Sequence, residues 1–449
     1  MSVDFLPHTA SDDESMLAAI GAAAIEDLFE PVPDGVRLDR PLDVPAALSE
    51  PELLDHLGGL ARRSLGAGDL VCFAGGGSYD HHVPAAVRAL ASRAEFSTSY
   101  TPYQPELSQG VLQALFEFQS LVCELYGLDV ANASLYDGAN ALTEGVNLAV
   151  RATKRDKAIV GGSVHPHYID VLKTYTSGLG LSIEIVPFGG GGVVDWNIVD
   201  MADAAAVVTA SPNVFGLIED VGTAAARAHD GGALAVAVTD PTSMGIFKPP
   251  GEHGADIAVG DGTALGNAIS YGGPAVGLFA TKASLVRQVP GRIAGETMDA
   301  DGRRAYVLTL QAREQHIRRA KATSNVCTNQ TLMAIAAAVH LSWLGPAGLR
   351  RLGEVCLRRT AFAAARLAEV PGCRVRFAGT HFKEFALETP LDGVELARSM
   401  ARRGFLAGPG LGRWYPELAN CMLVAVTERR TQDHIEAFAE AVEKELAGR

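Results

Sequence analysis

Between Phe96 and Cys123 the chain reads FSTSYTPYQPELSQGVLQALFEFQSLVC. Tyr100, Thr101, Tyr103, Gln104 and Glu106 crowd hydroxyl, amide and carboxylate groups into one short loop, and Pro102 and Pro105 stiffen it by fixing φ and removing backbone donors. Side chains held still in this way are suited to positioning hydrogen bonds around a reacting group. Directly after the loop, Leu107, Val111, Leu115, Phe118, Val122 and Leu125 recur at three- and four-residue spacing, and Gly127 supplies a stop. The spacing predicts a buried helix with the polar cluster at its N-terminal end. By spacing alone, an ordinary surface turn ahead of a core helix fits equally well.

Other chemistry-bearing residues point to less. His81–His82 and His165-Pro166-His167 invite a metal reading, but neighbouring histidines on a turn diverge and no carboxylate or cysteine repeat completes a ligand set, so no metal is expected. The glycine runs at 75–77 and 189–192 lack a following Lys-Ser/Thr and read as turns, not a Walker loop. Ser211, Ser243 and Ser270 stand in no nucleophile-elbow spacing.

The elements that must position these groups follow from composition and pattern. A chain of 449 residues is long enough to bury roughly three quarters of its unfolded surface in two or three domains. A formal charge of −14, with no basic run interleaved with aromatics, argues against nucleic acid. Six scattered cysteines with no CxxC pair fit reduced, buried thiols in a cytoplasmic protein. Apolar runs such as ALAVAV at 233–238 are too short to span a bilayer, and the acidic N-terminus is unlike a signal or transit peptide.

Along the chain, residues 1–60 read as an arm, with capping-box spacings at Ser11–Glu14 and Ser49–Glu52 around a proline-punctuated stretch. From about 61 to 325, helical patterns alternate with the runs KAIVGGSVHP, SIEIVPF, AAVVTASP, ALAVAVTD and DIAVGDG, the pattern of a mostly parallel sheet covered by helices. Residues 326–449 open with a long helical stretch, Leu332 to Leu367, and continue as a smaller α+β domain. The active site of such a sheet is expected at the carboxyl ends of its strands.

Within this frame, SYTPYQPELSQG, FAGGGSYDHHVP, DVANASLYDGANALTEG, KPPGEHGADIAVGDG, GGPAVGLFATK, QAREQHIRRAKATSNVCTNQ and MLVAVTERRT together resemble glycine decarboxylase, the P-protein of the glycine cleavage system, almost end to end. The likeness is to the first subunit of the two-subunit bacterial form. It implies the aspartate-aminotransferase-like, fold type I architecture of pyridoxal-phosphate (PLP) enzymes, an α/β large domain followed by a smaller C-terminal domain. It also implies glycine as substrate, a PLP-bearing second subunit in a tetramer of two chains of each kind, and transfer of the aminomethyl group to the lipoyl arm of a carrier H-protein. Tyr100, Thr101, Tyr103, Gln104 and Glu106 become candidate catalytic residues, and Ser78, Tyr79 and His81 candidates for touching cofactor across the subunit interface.

PLP chemistry needs a lysine to hold the aldehyde as a Schiff base and an acid beside the pyridinium nitrogen. Asp240 stands where that acid would be, but the segment GDGTALGNAISYGG, where the lysine is expected, contains none. Lys248 and Lys282 lie to either side and read as surface residues. The turn YDGAN is the candidate phosphate cup, yet Asp137 would cap the helix end internally and repel a phosphate. His165, at a strand end where a ring often stacks on the pyridine, is expected to be structural. Two departures from the resemblance stand out: Ala210–Ser211 where a glutamine is usual, and Lys383 where an asparagine is common, the latter expected at the surface. The expectation is a chain that keeps the fold, lacks its own Schiff-base lysine and completes a site on its partner. A self-sufficient PLP lyase or aminotransferase using Lys248 or Lys282, and a non-catalytic scaffold, are the alternatives.

Overall fold

The computed structural model describes residues 7–66, 68–97 and 100–448, and its contacts divide into two units at the Ser64–Leu65 boundary. Thr98 and Ser99 of the polar loop lie outside the described residues.

Among its described residues the first unit carries two α-helices and the 3₁₀ helix Ile25–Phe29, and buries none of them. Its helix Glu50–Ala61 starts as expected, with the backbone N–H and hydroxyl of Ser49 both donating to Glu52 Oε2 at 2.8 and 2.6 Å. The helix Ala10–Ile20 starts earlier than the Ser11–Glu14 spacing implied. Thr9 is its N-cap and exchanges hydrogen bonds with Asp12, because that pair closes the box two residues sooner and leaves Ser11 and Glu14 inside the helix.

The second unit is built on a seven-stranded sheet in the order Val130–Ala131, Gly277–Thr281, Ile257–Asp261, Leu234–Val238, Ala204–Ala210, Lys157–Gly161, Ser182–Val186. The last five, all read as apolar runs in the sequence, are mutually parallel, and Gly277–Thr281 runs antiparallel beside Ile257–Asp261. Ala204–Ala210 is buried along its whole length, because helices cover both faces. Val236 and Val238 pack on one face with the helix Gly138–Thr153, while Ala235 packs on the other with Val207, Trp196 and Ala228. The helix Gln109–Tyr126 buries Val111, Leu115, Phe118, Val122 and Leu125 and ends on Gly127 in the left-handed region at φ 63°. Leu107, expected on the same stripe, precedes the helix in a short 3₁₀ turn and is 78% exposed.

A smaller antiparallel sheet, Arg374–Val375, Glu384–Glu388 and Cys421–Ala425, lies in the C-terminal part. Val71–Ala74, from just after the first unit, pairs in parallel with Phe405–Gly408 in this region, and the helices Gly393–Arg402 and Gln432–Ala447 cover it. The long helix Thr331–Ala368 breaks at Gly345–Pro346, where Gly345 leaves helical geometry (φ 58°, ψ −178°) and Pro346 lacks the N–H for the next bond. By length and composition alone this helix could cross a membrane, but its apolar residues, among them Ala334, Ile335 and Leu341, pack in the core.

Leucine 217 bridges to His381, and Phe382 N–H donates to Gly216 O at 2.8 Å, so the turn after the strand Ala204–Ala210 holds the start of the strand Glu384–Glu388. Gly216 has φ +76°, and a Cβ there would lie 1.8 Å from Glu384 O. Gly216→Ala is therefore expected to cost about 3 kcal/mol or more. Gly178→Ala, in open space, should stay within about 0.5 kcal/mol of wild type. Thermal or urea unfolding of the two variants checks the contrast, and equal stability would contradict it.

Candidate functional site

Strand ends meet where the sheet predicts a site. Asp240 follows Leu234–Val238, and Asp261 ends the neighbouring strand Ile257–Asp261. Thr242 donates to Asp240 Oδ1 through its N–H at 2.9 Å and its hydroxyl at 2.6 Å. The other carboxylate oxygen forms an ion pair with Lys383 Nζ. Burial alone would raise the Asp240 pKa, but the Lys383 charge and these hydrogen bonds outweigh it and hold the carboxyl below its ordinary range.

Lys383 is thus not on the surface, as its sequence context suggested, but 1% exposed. Its neighbours Phe382, Glu384 and Phe385 are all buried too, and Lys383 itself takes a left-handed backbone (φ 67°) that the sequence does not announce. Its Nζ lies 3.2 Å from His81 Nε2, 3.4 Å from Thr242 Oγ1 and 3.8 Å from the centroid of the Tyr79 ring. A lysine can only donate, so His81 accepts at Nε2 and donates from Nδ1 to Glu428 Oε2 at 2.7 Å. Glu428 also takes the His82 N–H at 2.6 Å. Burial would raise the Glu428 carboxyl, but the hydrogen bond from His81, followed by that from the His82 amide, outweighs it and holds the carboxyl below its ordinary range.

The segment that delivers Tyr79 and His81 is pinned by the C-terminal part: Arg430 Nη2 donates to Asp80 Oδ2 at 2.7 Å and the Thr427 hydroxyl to Asp80 O at 2.7 Å. Ahead of it, the glycine run at 75–77 is a turn. Gly76 N–H donates to Glu384 Oε2 at 2.9 Å, Tyr79 Oη donates to Glu384 Oε1 at 2.5 Å, and a Cβ on Gly75 would lie 2.5 Å from the same carboxylate. Burial pushes the Glu384 carboxyl up to about 7 despite these donors.

His81, Cys356 and Glu428 bring potential ligand atoms within 4.8 Å of one another. The chemistry does not suit a cation: both His81 nitrogens are engaged, and burial, with Glu428 adding to it, pushes the Cys356 thiol up to about 12.

At the start of the helix Gly138–Thr153 two of the free backbone donors already have protein partners. Asp137 Oδ1 accepts from Asn140 N–H at 2.8 Å and Asp261 Oδ2 from Gly138 N–H at 3.2 Å. Tyr168 Oη packs so closely that a Cβ on Gly138 would lie 2.1 Å from it. Two carboxylates and a phenol therefore sit where an anion would have to dock. Both His165 ring nitrogens are engaged within the protein: its Nδ1 accepts from His167 N–H at 3.1 Å, its Nε2 donates to Gly76 O at 2.7 Å, and burial lowers its pKa to about 4. The space left among Asp240, Asp261, His165, Tyr168 and Thr263 is about 90 Å³. Among the described residues lining it, Lys383 carries the one amine. Lys248, exposed, and Lys282, half-buried, lie elsewhere, paired with Glu252 at 3.6 Å and Asp256 at 2.6 Å.

The loop at 100–106 faces other surroundings. Gln109 Nε2 donates to Pro105 O at 2.7 Å and Tyr306 O at 2.9 Å, anchoring the loop to the helix start, and Thr101 Oγ1 meets Thr328 Oγ1 at 3.1 Å. Arg292, 2% exposed, donates to Tyr103 Oη at 2.5 Å with its guanidinium 4.9 Å from the ring centroid, and it lies 3.6 Å from Glu314. Tyr100 is 79% and Tyr103 49% exposed, and Gln104 and Glu106 are exposed as well. Tyr103 borders a second cavity of about 430 Å³ with Glu314, His316, Arg319, Val326 and Cys327. The structure thus gathers Tyr79 and His81 around Lys383 and Asp240, leaves Ser78 exposed, and keeps the loop residues off the Asp240 cavity. Arg292, Glu314, Glu384 and Glu428 carry no spacing signal; Glu314 and Glu428 fall within the strings QAREQHIRRAKATSNVCTNQ and MLVAVTERRT.

Residues 3–442 match the family model for the glycine cleavage system P-protein. The chain is 49% identical to a probable glycine dehydrogenase (decarboxylating) subunit 1 of Moorella thermoacetica, over 99% of this chain and 100% of that one. It is also 49% identical to the protein of the same name in Rhizorhabdus wittichii, over 99% of each. Among solved structures it superimposes on a glycine decarboxylase (P-protein) of the glycine cleavage system in inhibitor-bound form with TM-score 0.91 and 47% identity, covering 98% of this chain and 100% of that one. A sphingosine-1-phosphate lyase from Burkholderia pseudomallei, 17% identical with TM-score 0.64 over 92% and 94% of the two chains, shares the fold alone. The architecture is that of the fold type I PLP-dependent enzymes, as the sequence implied.

The raised Glu384 carboxyl has a consequence for stability. Folded, it keeps its proton to about pH 7, whereas an ordinary glutamate releases it near 4.5, so between those values the unfolded chain binds fewer protons and stability falls as pH rises. Glu384→Gln, whose amide can donate to Tyr79 Oη and accept from Gly76, should remove that fall. Wild type is expected to lose about 2.5 kcal/mol more than the variant between pH 5 and pH 8. Parallel pH profiles in denaturant titrations would contradict this.

Proposed function

Because the chain belongs to the glycine cleavage system P-protein family, we propose that it acts as the first subunit of a glycine dehydrogenase (decarboxylating), completing an active site with a second subunit instead of running one of its own. The observation that carries this reading is the Lys383–Asp240 ion pair. The acid that would steady a pyridinium nitrogen is already neutralised from within, the expected lysine segment has no lysine, and carboxylates occupy the helix start that would take a phosphate. These residues do not fit PLP.

PLP therefore sits on the second subunit, where it supplies the electron sink for loss of CO2 from glycine. This chain contributes surface and side chains. Tyr100, Thr101, Tyr103, Gln104 and Glu106 stand on a braced loop with most of their polar groups outward, and Ser78 is the exposed member of its trio. They position glycine, the cofactor phosphate or the lipoyl arm of the carrier H-protein. The first unit, with Leu53, Leu54, Leu57 and Leu60 exposed on one helix and no buried residue among those described, gains a core by packing on the partner. The assembly is a soluble, cytoplasmic tetramer of two chains of each kind.

Tyr103→Phe removes the acceptor used by Arg292, and Glu106→Gln removes a charge, both with little change in volume. If the loop orders the reacting groups, each change should cost on the order of 2–4 kcal/mol in the barrier of the reconstituted complex. Steady-state turnover with glycine and lipoyl carrier, alongside size-exclusion chromatography, reads this directly. Wild-type rates in properly assembled complexes would favour a scaffold instead.

A further inference from the structure

Lys383 combines two costs that ordinary residues avoid: a buried ammonium, 1% exposed, and a left-handed backbone at φ 67°. Both are met by one arrangement. The backbone turn aims the side chain between Tyr79 and Thr242 at Asp240, and the ammonium, the Asp240 carboxylate and the His81–Glu428 pair form one connected polar array. What remains of the cavity, about 90 Å³, is bounded by Asp240, His165 and Tyr168.

We propose that Lys383 is the specificity-determining residue of this cavity: its ammonium takes the place of a protonated ring nitrogen on Asp240 and so shuts out pyridine-type ligands that the remaining walls would accept. Truncating Lys383 at Cβ frees the volume of its Cγ, Cδ, Cε and Nζ atoms and adds it to the existing space. It also leaves a buried carboxylate whose need for a cation a pyridinium can meet. The ligand class is a pyridine without a phosphate, because Asp137, Asp261 and Tyr168 still fill the helix start. This inference rests on the reading that the chain carries no cofactor of its own, and names the residue responsible for it.

The test uses the full chain and pyridoxine, followed by thermal unfolding. Wild type should not respond to pyridoxine. Lys383→Ala should melt several degrees lower, and millimolar pyridoxine should raise its midpoint by about 2 °C or more. Pyridoxine 5′-phosphate should raise it less. The double variant Lys383→Ala, Asp240→Asn should regain stability and lose the response. A Lys383→Ala midpoint equal to wild type, no response to pyridoxine, or an equal response in wild type or the double variant would overturn the proposal. Should Lys383→Ala fail to fold, pyridoxine present during refolding is expected to recover it, and no recovery would overturn the proposal too. Uptake of PLP by the wild-type chain would instead sink the functional reading above, so the two failures are distinguishable.

Discussion

A carboxylate buried at the end of a parallel strand has to be neutralised, and here Lys383 does it. Removing one partner of such a pair strands the other in a low-dielectric interior, which typically costs about 3–5 kcal/mol. That constraint ties distant parts of the chain together. Asp240 is delivered by the sheet, Lys383 by the entry to the C-terminal strand Glu384–Glu388, and Tyr79 and His81 by the turn that follows Val71–Ala74. Each of these elements is separately anchored, through Gly216 to Phe382 and through Asp80 to Arg430 and Thr427. The ion pair is correct only if both layers are, so it acts as a specificity device for the fold as well as a plug in the cavity.

The same arrangement explains a division of labour. An active site of this architecture forms at the carboxyl ends of the central strands, and here that position is filled by protein groups bonded to one another. Polar side chains able to meet a ligand are displaced to the loop at 100–106, outside the Asp240 cavity and braced from behind by Gln109, Thr328 and Arg292. Rigid support with outward polar groups suits a site completed by another chain, because positioning is useful only when the supporting shell does not yield.

Much of this was legible in the sequence. The five parallel strands announced themselves as apolar runs ending in small or polar residues, and the helix Gln109–Tyr126 through its three- and four-residue spacing and Gly127. Asp137 as a cap was visible because it depends on local sequence. Lys383 was misread because its partner lies far away in the chain and its left-handed backbone reverses the facing that strand alternation would suggest. The Arg292–Tyr103 contact was invisible for the same reason: packing between distant segments leaves no periodic trace. Thr9 displaced Ser11 as a cap because two boxes overlapped, and the break at Gly345–Pro346 was hidden by helical composition on both sides.

The central claim is that this chain's own cavity is closed and that the cofactor resides on the partner. Borohydride reduction of the reconstituted two-subunit complex loaded with PLP, followed by peptide mapping by mass spectrometry, tests it most directly. The account predicts a phosphopyridoxyl group on the partner chain and none on any lysine of this one. A reduced adduct on Lys383, Lys248 or Lys282 would contradict it.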